Sequence, residues 1–295
     1  MKVLVTGANG FIGRQCCIQL KNMGYEVHAI SSRYNPDTSV YWHKVNLLDD
    51  KQIKGLLEKV RPSHLLHLAW YAEPGKFWTS KKNYCWLKAT LTLFEEFIIS
   101  GGKRAVVAGT CAEYDWNSDK YIEGITPLAP QTIYGICKHS LQMILSSYAS
   151  SNDISFSWGR IFSLYGPYEN PARLIASVVT SLINNKTIIC KNGELIRDYL
   201  HVNDVASAFV ALIGSDIEGP INIGSGQGIM LTDLVREVEK KMQKFGYLKI
   251  EGSSGKNSDA PIIVADTSKI RSIGWKPSYN LDRGLEDTID WFIKN

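Results

Sequence analysis

The chain has 295 residues, 44% of them hydrophobic and 21% charged, values that suit a globular protein and exclude disorder, a collagen-like repeat or a disulfide scaffold. That length can bury one large α/β core, or a nucleotide domain with a smaller lobe appended. A net charge of +4, with no Lys/Arg run longer than two residues, gives no reason to invoke nucleic acid; an anionic small molecule suits it better.

Cys16, Cys17, Cys85, Cys111, Cys137 and Cys190 form neither a CxxC nor a CxxH pattern, so no metal site and no secreted disulfide framework is expected. The chain opens directly on the strand-like run Lys2–Thr6, without a signal-peptide pattern, and no stretch approaches a membrane span. A cytoplasmic protein is the expectation.

Short apolar runs alternate with helical periodicity through the first half, which implies βαβ units and a parallel sheet. Val3–Val5 forms the first strand, and TGANGFIG at 6–13 leads into a helix over Ile12–Met23 closed by Gly24. Gly7 permits a tight turn, Gly10 lets backbone approach a pyrophosphate, and Gly13 lets helix pack on strand; the helix N-terminus adds partial positive charge for phosphates. A glycine triplet alone is a weak signal, and the order strand, loop, helix gives it weight. The second strand, Glu26–Ile30, ends in Ser31-Ser32-Arg33, where a NAD enzyme normally offers Asp or Glu to the ribose hydroxyls. Two hydroxyls and a guanidinium would instead donate to a 2′-phosphate, so NADP(H) is expected over NAD(H). The bland alternative is that Arg33 only solvates a surface loop.

A helix over Lys51–Val60 precedes the strand His64–Leu68, whose His67 suits a satisfied core residue without a proton-transfer role. Trp70, Tyr71, Trp78 and Trp86 follow, beyond the carboxyl end of a strand, where they can pack on a ligand or fill a core. After a helix over Lys81–Ser100, closed by Gly101, comes the strand Arg104–Ala108 with Thr110 at its end. Tyr134 and Lys138, four residues apart in a helix over Tyr134–Ser150, share one face. A phenol titrating near about 10 is a poor proton relay, and an adjacent cation brings it nearer the working range. Thr110 can hydrogen-bond the same substrate oxygen. Glu113 is read as a surface residue in preference to a sugar contact.

Past the strand Ser155–Ile161, from about Pro167, helices near Arg173–Asn184, Val202–Ile213, Thr232–Phe245 and Leu281–Lys294 are joined by loops such as Glu251–Asp259. The expected architecture is α/β: a Rossmann-type doubly wound parallel sheet over 1–166, carrying the YxxxK residues, and a smaller C-terminal substrate-binding lobe over 167–295. Some segments of the second part are expected to return to the sheet.

TGANGFIG at 6–13, His67-Leu68-Ala69, Gly109-Thr110 followed by Tyr114, YGICK at 134–138, Arg160 with Leu164-Tyr165-Gly166-Pro167, Arg197 to Asp204, and Asn222 to Gly226 extend over almost the whole chain. In these motifs the chain resembles the extended short-chain dehydrogenase/reductase family, the NAD-dependent epimerase/dehydratase group acting on nucleotide sugars. The resemblance implies that Tyr134 is the general acid/base, that Lys138 lowers its pKa and holds the nicotinamide ribose, and that Thr110 orients the sugar oxygen. Gly7, Asn9, Gly10, Phe11, Ile12, Gly13, Ser31, Ser32, Arg33, Asn46, Leu47, Leu68, Ala69 and Trp70 would join Tyr134 and Lys138 around the cofactor. Thr110, Cys111, Ser163, Arg173 and Arg197 would meet the substrate, with Arg197 clamping its pyrophosphate.

The departures narrow the activity. Cys111-Ala112 stand where the family's 4,6-dehydratases carry an Asp-Glu pair, so no acid is placed to expel a 6-hydroxyl. Ser163 takes the place of the usual Asn before Tyr-Gly-Pro, and Asn46-Leu47 replaces a frequent Asp-Leu near the adenine. The expectation is an NADPH-dependent 4-ketoreductase of a nucleotide-linked 4-keto-6-deoxy sugar, working as a homodimer through the helices around 81–100 and 134–150. A 4-epimerase with retained NAD is the alternative, and a non-catalytic cofactor-binding regulator is the reading from another class.

Overall fold

The structure, a computed structural model, describes residues 1–32, 39–251 and 260–295. Arg33 and most of the Glu251–Asp259 loop lie outside the described residues, and Glu251 itself ends a strand.

From the N-terminus, strand and helix alternate as β1 (Lys2–Thr6), α1 (Phe11–Asn22), β2 (Glu26–Ser31), β3 (Tyr41–Lys44), α2 (Asp50–Val60), β4 (His64–His67), α3 (Lys82–Ile99), β5 (Arg104–Thr110), α4 (Ile133–Ser150) and β6 (Ser155–Ile161). There follow β7 (Ser163–Tyr165), α5 (Leu174–Ile183), β8 (Ile188–Lys191), β9 (Ile196–His201), α6 (Val202–Ile213), β10 (Gly219–Ile223) and β11 (Gly228–Met230). The chain ends with α7 (Leu231–Lys241), β12 (Leu248–Glu251), β13 (Ile262–Ile263), α8 (Ser268–Arg271) and α9 (Leu281–Lys294).

Seven strands form one parallel sheet in the order β10-β6-β5-β4-β1-β2-β3. The direction of winding reverses beside β1, so a crevice opens beyond the carboxyl ends of β1 and β4, where doubly wound sheets hold ligands. Burial on both faces explains the nearly continuous apolar runs: every residue of β5, RAVVAGT, is buried. One core packs α1 and α6 under the sheet through residues such as Cys16, Leu20, Phe209 and Ile213. A second packs α2, α3 and α4 over the other face through Leu57, Phe94, Phe97, Leu141 and Leu145.

The helix starts follow local chemistry. Asp49 caps α2 by accepting from the backbone N–H groups of Lys51 and Gln52, and Thr132 caps α4 by accepting from Gly135 N at 3.0 Å. Gly10 begins α1 without any side-chain cap, leaving the first-turn amides of that helix to other acceptors.

The short edge strand β3 was not expected from the sequence; YWHK has only half-buried and exposed positions and little apolar periodicity. At the opposite edge, β10 is supplied by residues 219–223 and pairs with β6 over five residues. Arg104 of β5 ties that region down, its buried guanidinium donating to the carbonyls of Leu212 and Ile217 and to Ser157 Oγ. Beyond the main sheet, β9 pairs with β7, β11 and β13, and β8 with β12. These pack on α5, α7 and α9 around a third core that includes Tyr165, Val178, Val179, Val238, Leu285 and Ile289.

Candidate active site

The TGANGFIG segment forms a close backbone cradle. Gly7 has φ +65°, and Gly10 N donates to Gly7 O at 2.8 Å to close the turn. A Cβ at Gly7 would lie 2.9 Å from Ala69 N, and one at Gly13 would run into the Gly7 carbonyl, so both glycines are required by space. Thr6 Oγ1 accepts from the amides of Leu68 and Ala69, both at 3.2 Å, which fixes the β4 end beside the turn. Such a cradle, with the uncapped start of α1 above it, fits a dinucleotide pyrophosphate. Asn9, Phe11, Ile12, Leu68, Ala69 and Trp70 surround it, and Ser31 and Ser32 close β2 on the same side. Asn46 uses its side-chain oxygen locally, accepting from Leu48 N at 3.1 Å.

His67 is a core residue with both ring nitrogens engaged: Nδ1 lies 2.7 Å from Thr6 Oγ1 and Nε2 2.9 Å from Thr90 Oγ1. Thr90 gives its own proton to the Trp86 carbonyl, so it accepts from His67 Nε2–H. Burial and the Lys138 charge pull His67 down to about 3, which keeps it neutral.

Thr110 ends β5 and opens a single 3-10 turn, Cys111–Glu113, while Tyr134 and Lys138 sit on the first turns of α4. The Thr110 hydroxyl acts on the Tyr134 phenol, and Phe77 and Trp78 stand edge-on to the Tyr134 ring at 4.9 and 5.7 Å. Burial raises the phenol well above its ordinary value, and Thr110 pulls against that rise. Lys138 Nζ donates to the Ala108 carbonyl at 2.8 Å and lies 3.9 Å from the centre of the Trp70 ring. Burial pulls this ammonium down to about 7, opposed by the charge of Glu113. Trp70 therefore packs against the Lys138 ammonium, and its Nε1 donates to Asn83 Oδ1 at 2.8 Å.

The surface placement expected for Glu113 is overturned: it is fully buried. Its Oε1 accepts from Thr110 N and from Trp158 Nε1, each at 2.8 Å, and its Oε2 from Arg160 Nε at 2.8 Å. Thr110 and Glu113 form a capping box, a Thr-x-x-Glu spacing visible in the sequence before the structure.

Among the expected substrate residues, Ser163 opens β7, directly across from Tyr199 of β9, and Arg173 caps the start of α5 with its guanidinium over the Phe77 ring. Arg197 of β9 donates from Nη1 to the Ile196 carbonyl at 2.8 Å, and its charge reaches Cys111. Burial pushes the Cys111 thiol up to about 12. Two residues the sequence reading did not single out join this group. Glu169 is buried with one carboxylate oxygen lacking a hydrogen-bond partner, and burial raises it to about 8 against the pull of Arg173. Tyr199 is raised by burial and by the nearby Glu169. Arg173 thus acts on both Tyr134 and Tyr199, and Arg197 on both Tyr199 and Cys111.

Residues 3–224 match the profile of the NAD dependent epimerase/dehydratase family. The chain belongs to that family. The family is one of enzymes, and its curated relatives are similar end to end. A UDP-glucose 4-epimerase of Rhizobium meliloti is 25% identical over 326 residues, covering 98% of this chain and 96% of the relative. A CDP-abequose synthase of Salmonella typhimurium is 26% identical over 300 residues, covering 97% of each. Among solved structures, MoeE5 in complex with UDP-glucuronic acid and NAD superposes with a TM-score of 0.88 at 26% identity, covering 100% of this chain and 99% of that one. As an epimerase/dehydratase-family enzyme the chain thus shares the Rossmann-like architecture of NAD-bound relatives. Among the described residues no group of His, Cys, Asp and Glu is arranged to hold a metal, and no helix is long and apolar enough to cross a membrane.

Proposed function

We propose that this enzyme uses NADPH to reduce a nucleotide-linked 4-keto-6-deoxy sugar at C4. The observation that carries this reading is the Thr110 hydroxyl acting on the Tyr134 phenol, one helical turn from buried Lys138, with Cys111-Ala112 where an eliminating acid would stand. The nicotinamide, when bound, supplies the hydride. Tyr134 gives its phenolic proton to the C4 oxygen and takes another from solvent before the next turnover, Thr110 holds that oxygen, and the Lys138 ammonium favours the phenolate formed in between. Arg197 and Arg173 bind the diphosphate, and Cys111 and Ser163 border the sugar. A 4-epimerase that retains NAD is the second reading, favoured by relatives named UDP-glucose 4-epimerase.

Purified enzyme mixed with NADPH and a panel of nucleotide-linked 4-keto-6-deoxy sugars is expected to consume the reduced cofactor and yield one alcohol. Tightly held NAD with no net consumption of added NADPH would establish the epimerase instead. Arg197→Ala is expected to weaken the nucleotide sugar by about tenfold to a hundredfold, the worth of charge-assisted hydrogen bonds to a diphosphate, and to leave NADPH affinity nearly unchanged. Titrations with each ligand check it; equal losses would remove Arg197 from the substrate site.

The preference for NADPH rests on Ser31, Ser32 and Arg33. Ser31→Asp is expected to place a carboxylate against the 2′-phosphate and to reverse the preference in favour of NADH, by at least about tenfold in the ratio of kcat/KM values. Kinetics with both cofactors test it, and an unmodified enzyme that already prefers NADH would contradict the reading. We place the enzyme in the cytoplasm, where the six thiols, none of them joined in a disulfide among the described residues, would stay reduced. We further propose a homodimer through α3 and α4, which expose Tyr84, Ile99, Ile136, Met143 and Ile144.

A further inference from the structure

We propose that Glu113 is a positioning residue of the reactive set: paired with Arg160 beneath Thr110, it fixes the turn that carries Thr110 and supplies the negative charge against which Tyr134 and Lys138 are poised. The inference rests on the reading of Tyr134 and Lys138 as the reactive pair.

The geometry comes first. The Glu113 carboxylate makes three hydrogen bonds of 2.8 Å, to the Thr110 amide, the Trp158 indole and the Arg160 guanidinium, and all four residues are buried. The turn it closes touches α4 directly, because a Cβ at Gly135 would run into the Ala112 carbonyl. Moving Glu113 therefore moves both Thr110 and the helical turn bearing Tyr134. Behind it, Arg160 donates to Tyr114 Oη at 3.2 Å, and Tyr114 donates to Asn222 Oδ1 at 2.8 Å, so the anchor is itself held from β10.

A fold needs no charge here for stability, since a buried ion pair loses in desolvation about what it gains in attraction and apolar replacements are often as stable. The charge is better accounted for by what surrounds it. Lys138, His139 and Tyr134 face Glu113 from α4, Arg160 from β6, and Cys111 from its own turn, while Tyr114 meets Arg160. One step further out, Glu123 acts on Tyr114 and Lys269 lies near Arg160, while His67 of β4 faces Lys138. Glu113 favours the protonated form of Tyr134, of Lys138 and of the Cys111 thiol alike. For a reductase that must hold a proton ready for the alkoxide, this is the useful sign.

Two variants test it. Glu113→Gln keeps an acceptor for Thr110 N and removes the charge; Glu113→Gln combined with Arg160→Met also removes the cation that the single change would strand, and it serves if the single variant does not fold. In the single variant the alkaline fall of NADPH-dependent reduction is expected to move down by about one pH unit, the effect of a unit charge several ångströms away at intermediate dielectric; in the double variant, which loses an ion pair with its anion nearer the site, it moves the same way by less. The second readout needs no substrate. Iodoacetamide modification of Cys111, followed site by site with mass spectrometry at fixed pH, is expected to accelerate by about tenfold for a shift of one unit. Lower turnover with an unmoved pH profile and an unchanged Cys111 rate would overturn the proposal and leave Glu113 a structural residue. Faster Cys111 modification, in a protein whose unmodified form turns over no nucleotide sugar, would support the charge effect and overturn the substrate reading instead.

Discussion

Tyr134→Phe is expected to lower turnover by about 10²–10⁴-fold, the usual worth of general acid catalysis, while cofactor binding changes little. The reason lies in what the hydroxyl does. Thr110 acts on it, its ring is held edge-on by Phe77 and Trp78, and burial keeps its proton on at neutral pH. Phenylalanine keeps the ring contacts and deletes only the proton donor, so the loss should fall on kcat while binding of the nucleotide sugar persists. Stopped-flow measurement of hydride transfer, alongside fluorescence titration of the cofactor, separates the two. Activity within about tenfold of the unmodified enzyme would remove Tyr134 from the mechanism.

Lys138→Met is expected to abolish most activity and yet to stabilise the protein below neutrality. Lys138 is 3% exposed, and burial brings its ammonium from an ordinary 10.5 down to about 7. The sign follows from proton binding. Below about pH 7 folded and unfolded chains both carry the proton, and the full cost of burying the charge is present. Between about 7 and 10.5 the unfolded chain binds more protons, so this lysine makes stability rise with pH over that window. Methionine fills similar space without the charge. After subtracting the lost hydrogen bond to Ala108 and the contact with Trp70, a gain of about 1–3 kcal/mol is expected at pH 6, shrinking toward pH 10. Urea denaturation of both proteins across that range would show it, and a variant less stable at pH 6 would mean that the ammonium is better solvated in the fold than its burial implies.

The sequence revealed much of the fold because its strongest signals are local. Apolar runs buried on both faces made β1, β2, β4, β5 and β6 plain, and Gly24 and Gly101 marked helix ends where the structure has them. Strand β3 escaped because an edge strand covered on one face carries no continuous apolar run. The strands around β9 escaped because each is only two to six residues long, and pairing partners, not propensity, make them strands. At the site, Thr110, Tyr134 and Lys138 could be found by spacing, whereas the burial of Glu113 depends on Trp158 and Arg160, more than forty residues away in sequence. Lys138 was expected to act directly on the Tyr134 phenol; instead its Nζ is bonded to a strand carbonyl and stacked on Trp70. Glu169 gave no signal, because a lone acid in a loop looks solvated until the third core is folded against it.

The edge strand β10 has a consequence for how the protein is made on the ribosome. Residues 1–166 contain six of the seven main-sheet strands, but β6 is left as an open edge until residues 219–223 arrive, and the Arg104 guanidinium waits for the carbonyls of Leu212 and Ile217. A nascent chain that has emerged only through β6 therefore presents an unpaired strand edge carrying Phe156, Trp158 and Ile161, and a cation left with only the Ser155 and Ser157 hydroxyls, both of which invite wrong partners. Completion of the nucleotide-binding sheet must then be a late, post-crossover event in synthesis. The enzyme should refold as one cooperative unit, and a chain stopped at 166 should aggregate when released, with no independent cofactor-binding half to recover.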